Sequence, residues 1–497
     1  MIKSDKLLKI HQKDNVAVLL DHLKAGEVTT LGDHEVEVKE DIEKGHKISI
    51  EEIAQGEDIV KYGFPIGHAL KHISVGEYVH THNIKTNLEK RVEYSYKPQL
   101  SEMKSGQQGK FMGYIRENGE VGIRNEIWIV NTVGCVNKTA ERLSHEANQR
   151  FHGKTEGVFS FSHPYGCSQL GEDHETTQKI LADMVKHPNA AGVLVLGLGC
   201  ENNNIDEFKK VLGDYNEKRV KFLSTQDVQD EIEEGLQLIG ELVEYAQQFR
   251  RQQCPVSKLI IGLKCGGSDA FSGITANPLV GACSDRLIEH GGTSILTEVP
   301  EMFGGETILM DRCIDEGVFH KTVNLINNFK DYYLRHNQEV YENPSPGNKK
   351  GGISTLDEKS LGCLQKGGFS PVVDVLDYGQ RVQIPGLNLL KGPGNDLVAS
   401  TALMASGAQL ILFTTGRGTP LGAPIPTLKI SSNTDLYNHK KNWIDYNAGE
   451  LLEDGDINKC SEDFFELMLK VASGEIRTKN EENGYREIAI FKDGVTL

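Results

Sequence analysis

The chain has 497 residues, enough for about three domains at roughly 150 residues each. Its 71 acidic residues outnumber its 54 basic residues, and the formal net charge of −17 disfavours nucleic acid and anionic membranes as partners. A small anionic substrate is still compatible with this charge, because a few Arg and Lys side chains can form one positive pocket.

Hydrophobic residues make up 38% of the chain and charged residues 25%, as in soluble globular proteins. The N-terminal residues lack the apolar core of a secretory signal, and the longest apolar run, 190–200, is too short to span a bilayer. Nine cysteines in a chain of this length do not indicate a disulfide framework. We therefore expect a cytoplasmic enzyme with reduced thiols, and a homo-oligomer is compatible with this picture.

Residues 1–88 predict a small all-β module. Short runs that alternate apolar and polar residues are separated by closely spaced glycine turns, which is the pattern of a compact antiparallel sheet. The polar stretch over 89–110 has almost no aliphatic residues and predicts a linker.

Residues 111–251 predict a parallel, Rossmann-like α/β domain. Apolar runs without internal alternation are separated by helical patterns, as in a parallel sheet that is covered on both faces. The predicted strands are 127–133, 157–162, 192–199 and 218–225.

Residues 252–497 predict a glycine-rich α/β domain, which we expect to be catalytic. It begins with a buried strand over 257–263, and a later strand runs into a glycine loop within 409–422. The predicted fold class is therefore α/β, with an all-β module at the N-terminus.

Four predicted strands each run into a cysteine that stands beside a glycine. These cysteines are Cys135, Cys167, Cys200 and Cys265. Ligands of open α/β sheets bind beyond the carboxyl ends of the strands, so these thiols are candidate ligands for a metal ion or an iron–sulfur cluster. The alternative for each is a small buried apolar side chain, and no CxxC spacing supports a rigid cluster.

The motif VHTHN places His80 and His82 two residues apart. On a strand, side chains at this spacing emerge on one face, and two neutral imidazoles are common ligands of transition metals. A solvent-facing pair on an edge strand is the alternative. Asn83 follows directly and is a candidate for orienting a ligand or for capping the turn.

A strand–loop–helix junction over 162–177 concentrates titratable groups. His163 and His174 are candidate general bases there, since loops at this position of α/β enzymes carry functional residues. Glu172 and Asp173 are also explained by compensation of the helix dipole.

Glycine-rich turns follow apolar runs in the third region, and none matches a phosphate-binding loop. Arg417 stands between Gly416 and Gly418, where a guanidinium and backbone N–H groups can bind a carboxylate. Lys264 beside Cys265 is a second cation, or a base if burial lowers its pKa. Surface charges on loops are the alternative for both cations.

Taken together, these motifs resemble the altronate dehydratase family, which is related to galactarate dehydratase. The resemblance covers essentially the whole chain and depends on several long motifs. They are YGFPIGHA, GEYVHTHN, HPYGCSQLGEDHETT, LGLGCENN, LKCGGSDAFSGITANPLVG, TEVPEMFGGE, KGPGND and LILFTTGRGTPLGAPIPTLKISSN.

The resemblance implies an N-terminal SAF-like β-clip module and a hydro-lyase that converts D-altronate to 2-dehydro-3-deoxy-D-gluconate in hexuronate (galacturonate) breakdown. It also implies divalent iron or manganese as cofactor, with an iron–sulfur cluster as the alternative. The intact VHTHN favours altronate over galactarate. Galactarate dehydration, sulfolactate cleavage and a non-catalytic regulator that binds sugar acids or metal remain the rival functions.

Removal of the proton at C2 requires a base, and a metal bound to the carboxylate and the 2-hydroxyl stabilises the enediolate. A second function helps the C3 hydroxyl to depart. His80, His82 and the strand-end cysteines are accordingly candidate metal ligands. His163 or His174 is the candidate base, and Arg417 is the candidate carboxylate clamp.

Overall fold

The computed structural model describes residues 2–88, 92–101, 109–453 and 456–497. Within these ranges, no helix is both long and apolar enough to cross a membrane. All nine cysteines are described, and each of them is free.

The N-terminal module is built from short antiparallel strands, as predicted. A five-stranded sheet has the order β1-β2-β3-β6-β9, a three-stranded sheet has the order β10-β8-β7, and β4 pairs with β5. The strands are β1 Ile2–Lys3, β2 Leu7–Lys9, β3 Val16–Leu19, β4 Val28–Leu31, β5 His34–Glu37, β6 Lys47–Ser49, β7 Asp58–Lys61, β8 Phe64–Ala69, β9 Tyr78–Val79 and β10 Ile84–Lys85.

The predicted linker lies partly outside the described residues, at 89–91 and 102–108. Its described part, 92–101, forms neither helix nor strand and runs along the C-terminal region. There the Tyr94 hydroxyl donates to Glu306, and the Tyr96 hydroxyl donates to the Cys313 carbonyl at 2.9 Å.

The second region contains a four-stranded parallel sheet of order β14-β13-β15-β16. Every residue of its two central strands, β13 and β15, is buried because helices cover both faces. The elements are β11 Lys110–Ile115, β12 Val121–Gly122, β13 Glu126–Asn131, α1 Asn137–Arg150, β14 Val158–Ser160, α2 Gly171–Lys186, β15 Ala190–Gly197, α3 Ile205–Leu212, β16 Val220–Ser224, α4 Glu231–Ala246 and β17 Gln252–Pro255.

The third region contains a seven-stranded parallel sheet of order β20-β21-β19-β18-β22-β23-β24. Its strands are β18 Ile260–Cys265, β19 Thr293–Leu296, β20 Val372–Leu376, β21 Leu387–Leu390, β22 Leu410–Thr415, β23 Thr427–Ser431 and β24 Tyr446–Asn447. Its helices are α5 Ala276–Glu289, α6 Glu306–Met310, α7 Glu316–Arg335, α8 Pro346–Lys350, α9 Leu356–Leu364, α10 Asp396–Ala405, α11 Thr434–His439, α12 Ile457–Ala472 and α13 Lys479–Glu482.

The two parallel sheets share a core in which α2 packs on α10. The C-terminal tail then returns to the second region. The backbone N–H groups of Asp493 and Gly494 donate to the Asp173 carboxylate at 2.9 and 2.8 Å, and the Leu497 N–H donates to the Ser168 carbonyl at 3.0 Å. The α/β class with a small β-rich N-terminal module is thus confirmed.

Candidate active site

The carboxyl edge of the seven-stranded sheet carries a largely buried group of charged and sulfur side chains, here named the lysine cluster. Strands β18 and β19 contribute through their ends, and α9 and α10 contribute from the sides. Its members are Lys264, Cys265, Glu298, Glu301, Lys359, Cys363, Lys366 and Asp396.

Lys264 lies fully buried within the lysine cluster. Its Nζ donates to Asp396 Oδ1 at 2.7 Å, to the Cys265 carbonyl at 2.6 Å and to Glu298. Burial lowers the pKa of Lys264, but the carboxylates of Asp396 and Glu298 outweigh this and hold the pKa well above its ordinary value. The sequence-based suggestion that Lys264 is a base is therefore wrong, because its ammonium group keeps its proton.

Cys265 is the buried thiol at the centre of the cluster. Its Sγ lies 3.5 Å from Cys363 Sγ, 2.9 Å from Glu301 Oε2 and 2.8 Å from Lys366 Nζ. The hydrogen bond from Cys363, helped by the charge of Lys366, lowers the pKa of Cys265 to about 6. The contact with the Lys366 ammonium thus favours the thiolate form of Cys265.

The Cys265, Glu301 and Cys363 side chains also form the one group of three such donors within 4.8 Å of one another in the described ranges. Manganese prefers oxygen ligands, so two sulfur donors do not suit it. Iron suits the donors, but the Lys366 ammonium already contacts Cys265, and Lys359 Nζ lies 2.7 Å from Glu301 Oε1. Because these ammonium groups already supply the positive charge, a divalent ion does not fit this group as it is folded.

The N-terminal module contacts the same part of the third region. Lys47 and Lys61 both place Nζ 2.8 Å from the Glu358 carboxylate, and all three side chains are buried. Burial raises the pKa of Glu358, but the two lysines outweigh it and lower the pKa to about 2. Glu358 precedes Lys359 in α9, so this triad anchors the module beside the lysine cluster.

The prediction that His80 and His82 share one face of a strand is wrong. Strand β9 ends at Val79, and the following residues form a turn. Asn83 holds this turn, because its Oδ1 accepts the His80 N–H at 2.9 Å and its Nδ2 donates to the Tyr78 carbonyl at 2.8 Å. The Asn83 amide is thus used within the turn and not for binding substrate.

The His80 ring is hydrogen-bonded at both nitrogens. Nε2 lies 2.8 Å from the Lys349 carbonyl, and Nδ1 accepts the Thr81 N–H at 2.7 Å. Burial lowers the pKa of His80 to about 4, so the ring is neutral at pH 7. His80 therefore has no nitrogen left for a metal as folded, whereas His82 is exposed and packs its ring 5.3 Å from that of Tyr78.

Three of the predicted cysteine ligands lie at the carboxyl edge of the four-stranded sheet, here named the cysteine edge. Cys135, Cys167 and Cys200 follow the adjacent strands β13, β14 and β15, and all three are exposed. Cys265 lies on the other sheet, so the structure does not place all four together.

His163 and His174 flank the cysteine edge and differ in their contacts. His163 is buried, its Nε2 lies 2.9 Å from the Asn131 carbonyl, and its Nδ1 accepts the Tyr165 N–H at 3.2 Å. With both nitrogens used, His163 cannot accept a proton, so this candidate base is wrong. His174 Nδ1, in the first turn of α2, is buried without a hydrogen-bond partner in the described part of the chain.

Arg417 remains an exposed cation at the carboxyl edge of β22, but the backbone around it is not open to an anion. The N–H groups of Gly416 and Arg417 donate to the Gly267 carbonyl at 3.1 and 2.9 Å, and the Gly418 N–H donates to Thr415 Oγ1 at 2.8 Å. The prediction that Gly416 and Gly418 bind substrate through their N–H groups is therefore wrong.

A cavity of about 230 Å³ lies where the carboxyl edges of the two parallel sheets meet. The first turn of α2 lines it through Glu172 and Asp173, and the loop after β21 lines it through Lys391. Lys391 is exposed and forms no ion pair among the residues that the structure describes. Lys391 was not predicted as a functional residue, although it stands in the motif KGPGND.

Family models match three consecutive parts of the chain. The altronate/galactarate dehydratase SAF domain matches 5–87, the D-galactarate dehydratase/altronate hydrolase second domain matches 113–247, and the D-galactarate/altronate dehydratase C-terminal model matches 256–496.

Full-length relatives agree with these models. The chain is 55% identical to the altronate dehydratase of Bacillus subtilis (strain 168), with 99% of each chain covered. It is 49% identical to the altronate dehydratase of Escherichia coli (strain K12), again with 99% of each covered. Identity to the galactarate dehydratase (L-threo-forming) of the same E. coli strain is 32%, over 97% of this chain and 96% of the relative. The predicted family is confirmed, and the chain belongs to the altronate/galactarate dehydratase family.

Proposed function

We propose that the chain is a cytoplasmic hydro-lyase that converts D-altronate to 2-dehydro-3-deoxy-D-gluconate and water in galacturonate catabolism. The observation that carries this proposal is the likeness to two altronate dehydratases over 99% of the chain, at 55% and 49% identity. The lower identity of 32% to the galactarate dehydratase favours altronate as the substrate.

The cavity between the two carboxyl edges is the proposed substrate site. Its position agrees with the rule that α/β sheets bind ligands beyond the carboxyl ends of their strands. The substrate is an anion, and Lys391 is the cation of this cavity that is not paired with a carboxylate of the described chain. Lys391 therefore binds the substrate carboxylate, and Arg417 is the second candidate for this role.

His174 is the proposed acceptor of the C2 proton, because its Nδ1 has no hydrogen-bond partner among the described residues. The electron pair of the broken C–H bond forms the C2–C3 double bond, and the C3 hydroxyl departs with a proton as water. The resulting enol gains a proton at C3 and loses the proton of its 2-hydroxyl group, which gives the 2-keto acid. The proton that His174 takes from C2 equals the one that leaves with the water, so atoms and charges balance.

Iron is the proposed cofactor, and as a Lewis acid it would assist departure of the hydroxyl group. Neither His80, which is hydrogen-bonded at both nitrogens, nor the Cys265 group, which is neutralised by lysines, supports a mononuclear site. The remaining predicted ligands are the three cysteines of the cysteine edge and the exposed His82.

The proposed function is tested with protein that is purified and assayed without oxygen and supplied with ferrous iron. The substrates are D-altronate, galactarate and sulfolactate, and the products are identified by mass spectrometry. We expect a 2-keto-3-deoxy acid from D-altronate at a kcat/KM well above that of the other two. Preference for galactarate or sulfolactate would assign a rival lyase, and binding of D-altronate without any product would indicate a regulator.

A further inference from the structure

The cysteine edge has three exposed thiols on three neighbouring loops. Cys135, Cys167 and Cys200 follow β13, β14 and β15, and in the sheet order β14-β13-β15 these strands are directly adjacent. Thiols that serve only as small apolar groups are usually buried, as Cys254 and Cys283 are in this chain. Exposure of all three at one sheet edge therefore needs another explanation.

Hydrogen bonds connect the three loops to one another. The Gly134 N–H donates to the Tyr165 carbonyl at 2.9 Å, which joins the first loop to the second. Asn203 joins all three, because its N–H donates to the Gly166 carbonyl and its Nδ2 donates to the Thr132 carbonyl, each at 3.0 Å. Each of these groups lies within four residues of one of the cysteines, so the loops form a fixed frame for the thiols.

At the end of β13, in the loops after β14 and β15 and on α2, five buried polar atoms have no hydrogen-bond partner among the described residues. They are Asn131 Oδ1, Gln169 Nε2, His174 Nδ1, Thr177 Oγ1 and Asn203 Oδ1. Apart from His174, these side chains are at least nine-tenths buried. Buried polar groups are normally hydrogen-bonded, so such a concentration indicates that a polar group is missing from the site.

The surroundings favour negative charge at this edge. Helices α1, α2 and α3 begin at Asn137, Gly171 and Ile205, each within five residues after one of the three cysteines. Their N-termini carry partial positive charge, which stabilises thiolates and other anions. Gln226 Nε2 lies 3.6 Å from Cys200 Sγ and can donate a hydrogen bond to the sulfur of a ligand.

We infer that Cys135, Cys167 and Cys200 together bind an iron–sulfur cluster, and that the iron of the proposed dehydratase resides there. The inference rests on the proposed function for its link to catalysis. Each thiol loses its proton on binding. No three-ligand group at this edge lies within 4.8 Å in the described ranges, which argues against a single ion. Ligands of a cluster bind different irons and so stand farther apart.

A cluster of four irons fits the number of cysteines. Such clusters usually take four thiolates, so three leave one iron without a protein ligand. An open coordination position is the property that distinguishes a catalytic metal site from a structural one.

The test uses the full chain, purified without oxygen from cells grown with iron. Iron and acid-labile sulfide are quantified, and the cluster is examined by visible absorption and by electron paramagnetic resonance after reduction. We expect about four irons and a similar amount of sulfide per chain. Sulfide below one per chain in protein that turns over D-altronate would overturn the inference and leave the proposed function intact.

Variants locate the cluster. Cys135→Ser, Cys167→Ser and Cys200→Ser should each lose most of the iron and sulfide, whereas the matched control Cys460→Ser on α12 should retain both. Cys265→Ser should also retain them, whatever its activity. Loss of the cluster in Cys265→Ser with retention in the other three would overturn the assignment.

A measurement on the unmodified chain tests the same inference if the variants fail to fold. Native protein is treated with an alkylating reagent before and after removal of iron by a chelator, and the modified cysteines are mapped by mass spectrometry. Cys135, Cys167 and Cys200 should react at least tenfold faster after chelation, about 1.4 kcal/mol in protection, while the rate at Cys460 stays the same. Equal reactivity before and after chelation would contradict the inference.

Discussion

At the carboxyl edge of the seven-stranded sheet, the ammonium groups of the lysine cluster each contact a carboxylate or a sulfur atom. At the corresponding edge of the four-stranded sheet, three thiols are exposed, and five buried polar atoms in the loops and helices around them lack a partner among the described residues. The edges thus differ in how their groups are paired: the ammonium groups of the lysine cluster are paired, whereas the three thiols are exposed.

This difference indicates that the two edges have different functions. A buried set of paired charges supplies a fixed electrostatic environment, but it has no free group with which to bind or accept a proton. An edge with exposed thiols, and with an imidazole nitrogen that has no partner among the described residues, is suited to bind a ligand. The chemistry of the proposed dehydration therefore belongs to the second region, and the third region supplies the opposite wall.

The largest expected effect concerns His174. If its imidazole accepts the C2 proton, His174→Gln should lower kcat by roughly 10²–10⁴-fold, as is typical for loss of a general base. Iron content and thermal unfolding should change little, since Nδ1 has no partner to lose in the described chain. Steady-state kinetics with D-altronate measure the effect.

The matched control for this test is His163→Asn. Both His163 nitrogens bond to the backbone, so this variant should lose stability before it loses turnover per folded molecule. A His174→Gln enzyme with near-normal kcat, or a larger loss of kcat in a fully folded His163→Asn enzyme, would remove His174 from the mechanism.

The second prediction concerns the buried triad of Lys47, Lys61 and Glu358 beside the lysine cluster. Glu358→Gln leaves Lys47 and Lys61 buried without their shared carboxylate, and loss of one partner of a buried ion pair costs about 3–5 kcal/mol. Chemical denaturation should show this loss in the free energy of unfolding. Glu27→Gln, which breaks the surface pair with Lys6, is the control and should leave unfolding unchanged. Equal stabilities of the two variants would refute the anchoring role of Glu358.

The fold was predictable where local pattern decides structure. The predicted strands 127–133 and 192–199 correspond to β13 Glu126–Asn131 and β15 Ala190–Gly197, because a strand covered on both faces is apolar along most of its length. The position of Cys135 and Cys200 beyond the carboxyl ends of these two strands was predictable for the same reason.

Contacts between distant segments were not predictable. The lysine cluster joins the end of β18 to residues of α9 and of the turn after it, which lie about one hundred positions later. Nothing near Cys265 indicates that Lys366 will contact it. The prediction from the histidine motif was wrong for a different reason. His80 and His82 match a metal-binding pattern, but the hydrogen bonds of Asn83 turn the chain after Val79 and direct the His80 ring to the Lys349 carbonyl.

The third prediction separates the two candidate carboxylate clamps. Lys391 lines the cavity between the two edges, whereas Arg417 does not. A hydrogen bond to a charged group contributes about 1.5–3 kcal/mol, so Lys391→Met should lower kcat/KM for D-altronate by roughly 10–100-fold. Arg417→Met should have a smaller effect. A larger loss in Arg417→Met would move the substrate to the carboxyl edge of β22 and away from the cavity.

The smallest expected effect concerns the contribution of His80 to the pH dependence of stability. It tests whether the His80 ring is a hydrogen-bonded group of the interior or a metal ligand. Its pKa is lowered to about 4 by burial and by the nearby charge of Lys47, so the folded state binds a proton less tightly than the unfolded state, whose pKa is near 6.5. Between pH 6.5 and 4 the unfolded state therefore carries more protons, and stability falls as the pH falls. His80 should contribute roughly 1–2 kcal/mol to this loss, and the pH dependence should be weaker in His80→Gln.

Unfolding free energies at pH 4.5 and 7 measure this contribution, with His82→Gln, at an exposed position, as the control. If the stability of His80→Gln depends on pH as that of the unmodified chain does, and its iron content falls, the His80 ring is a metal ligand. The assignment of iron to the cysteine edge would then be wrong.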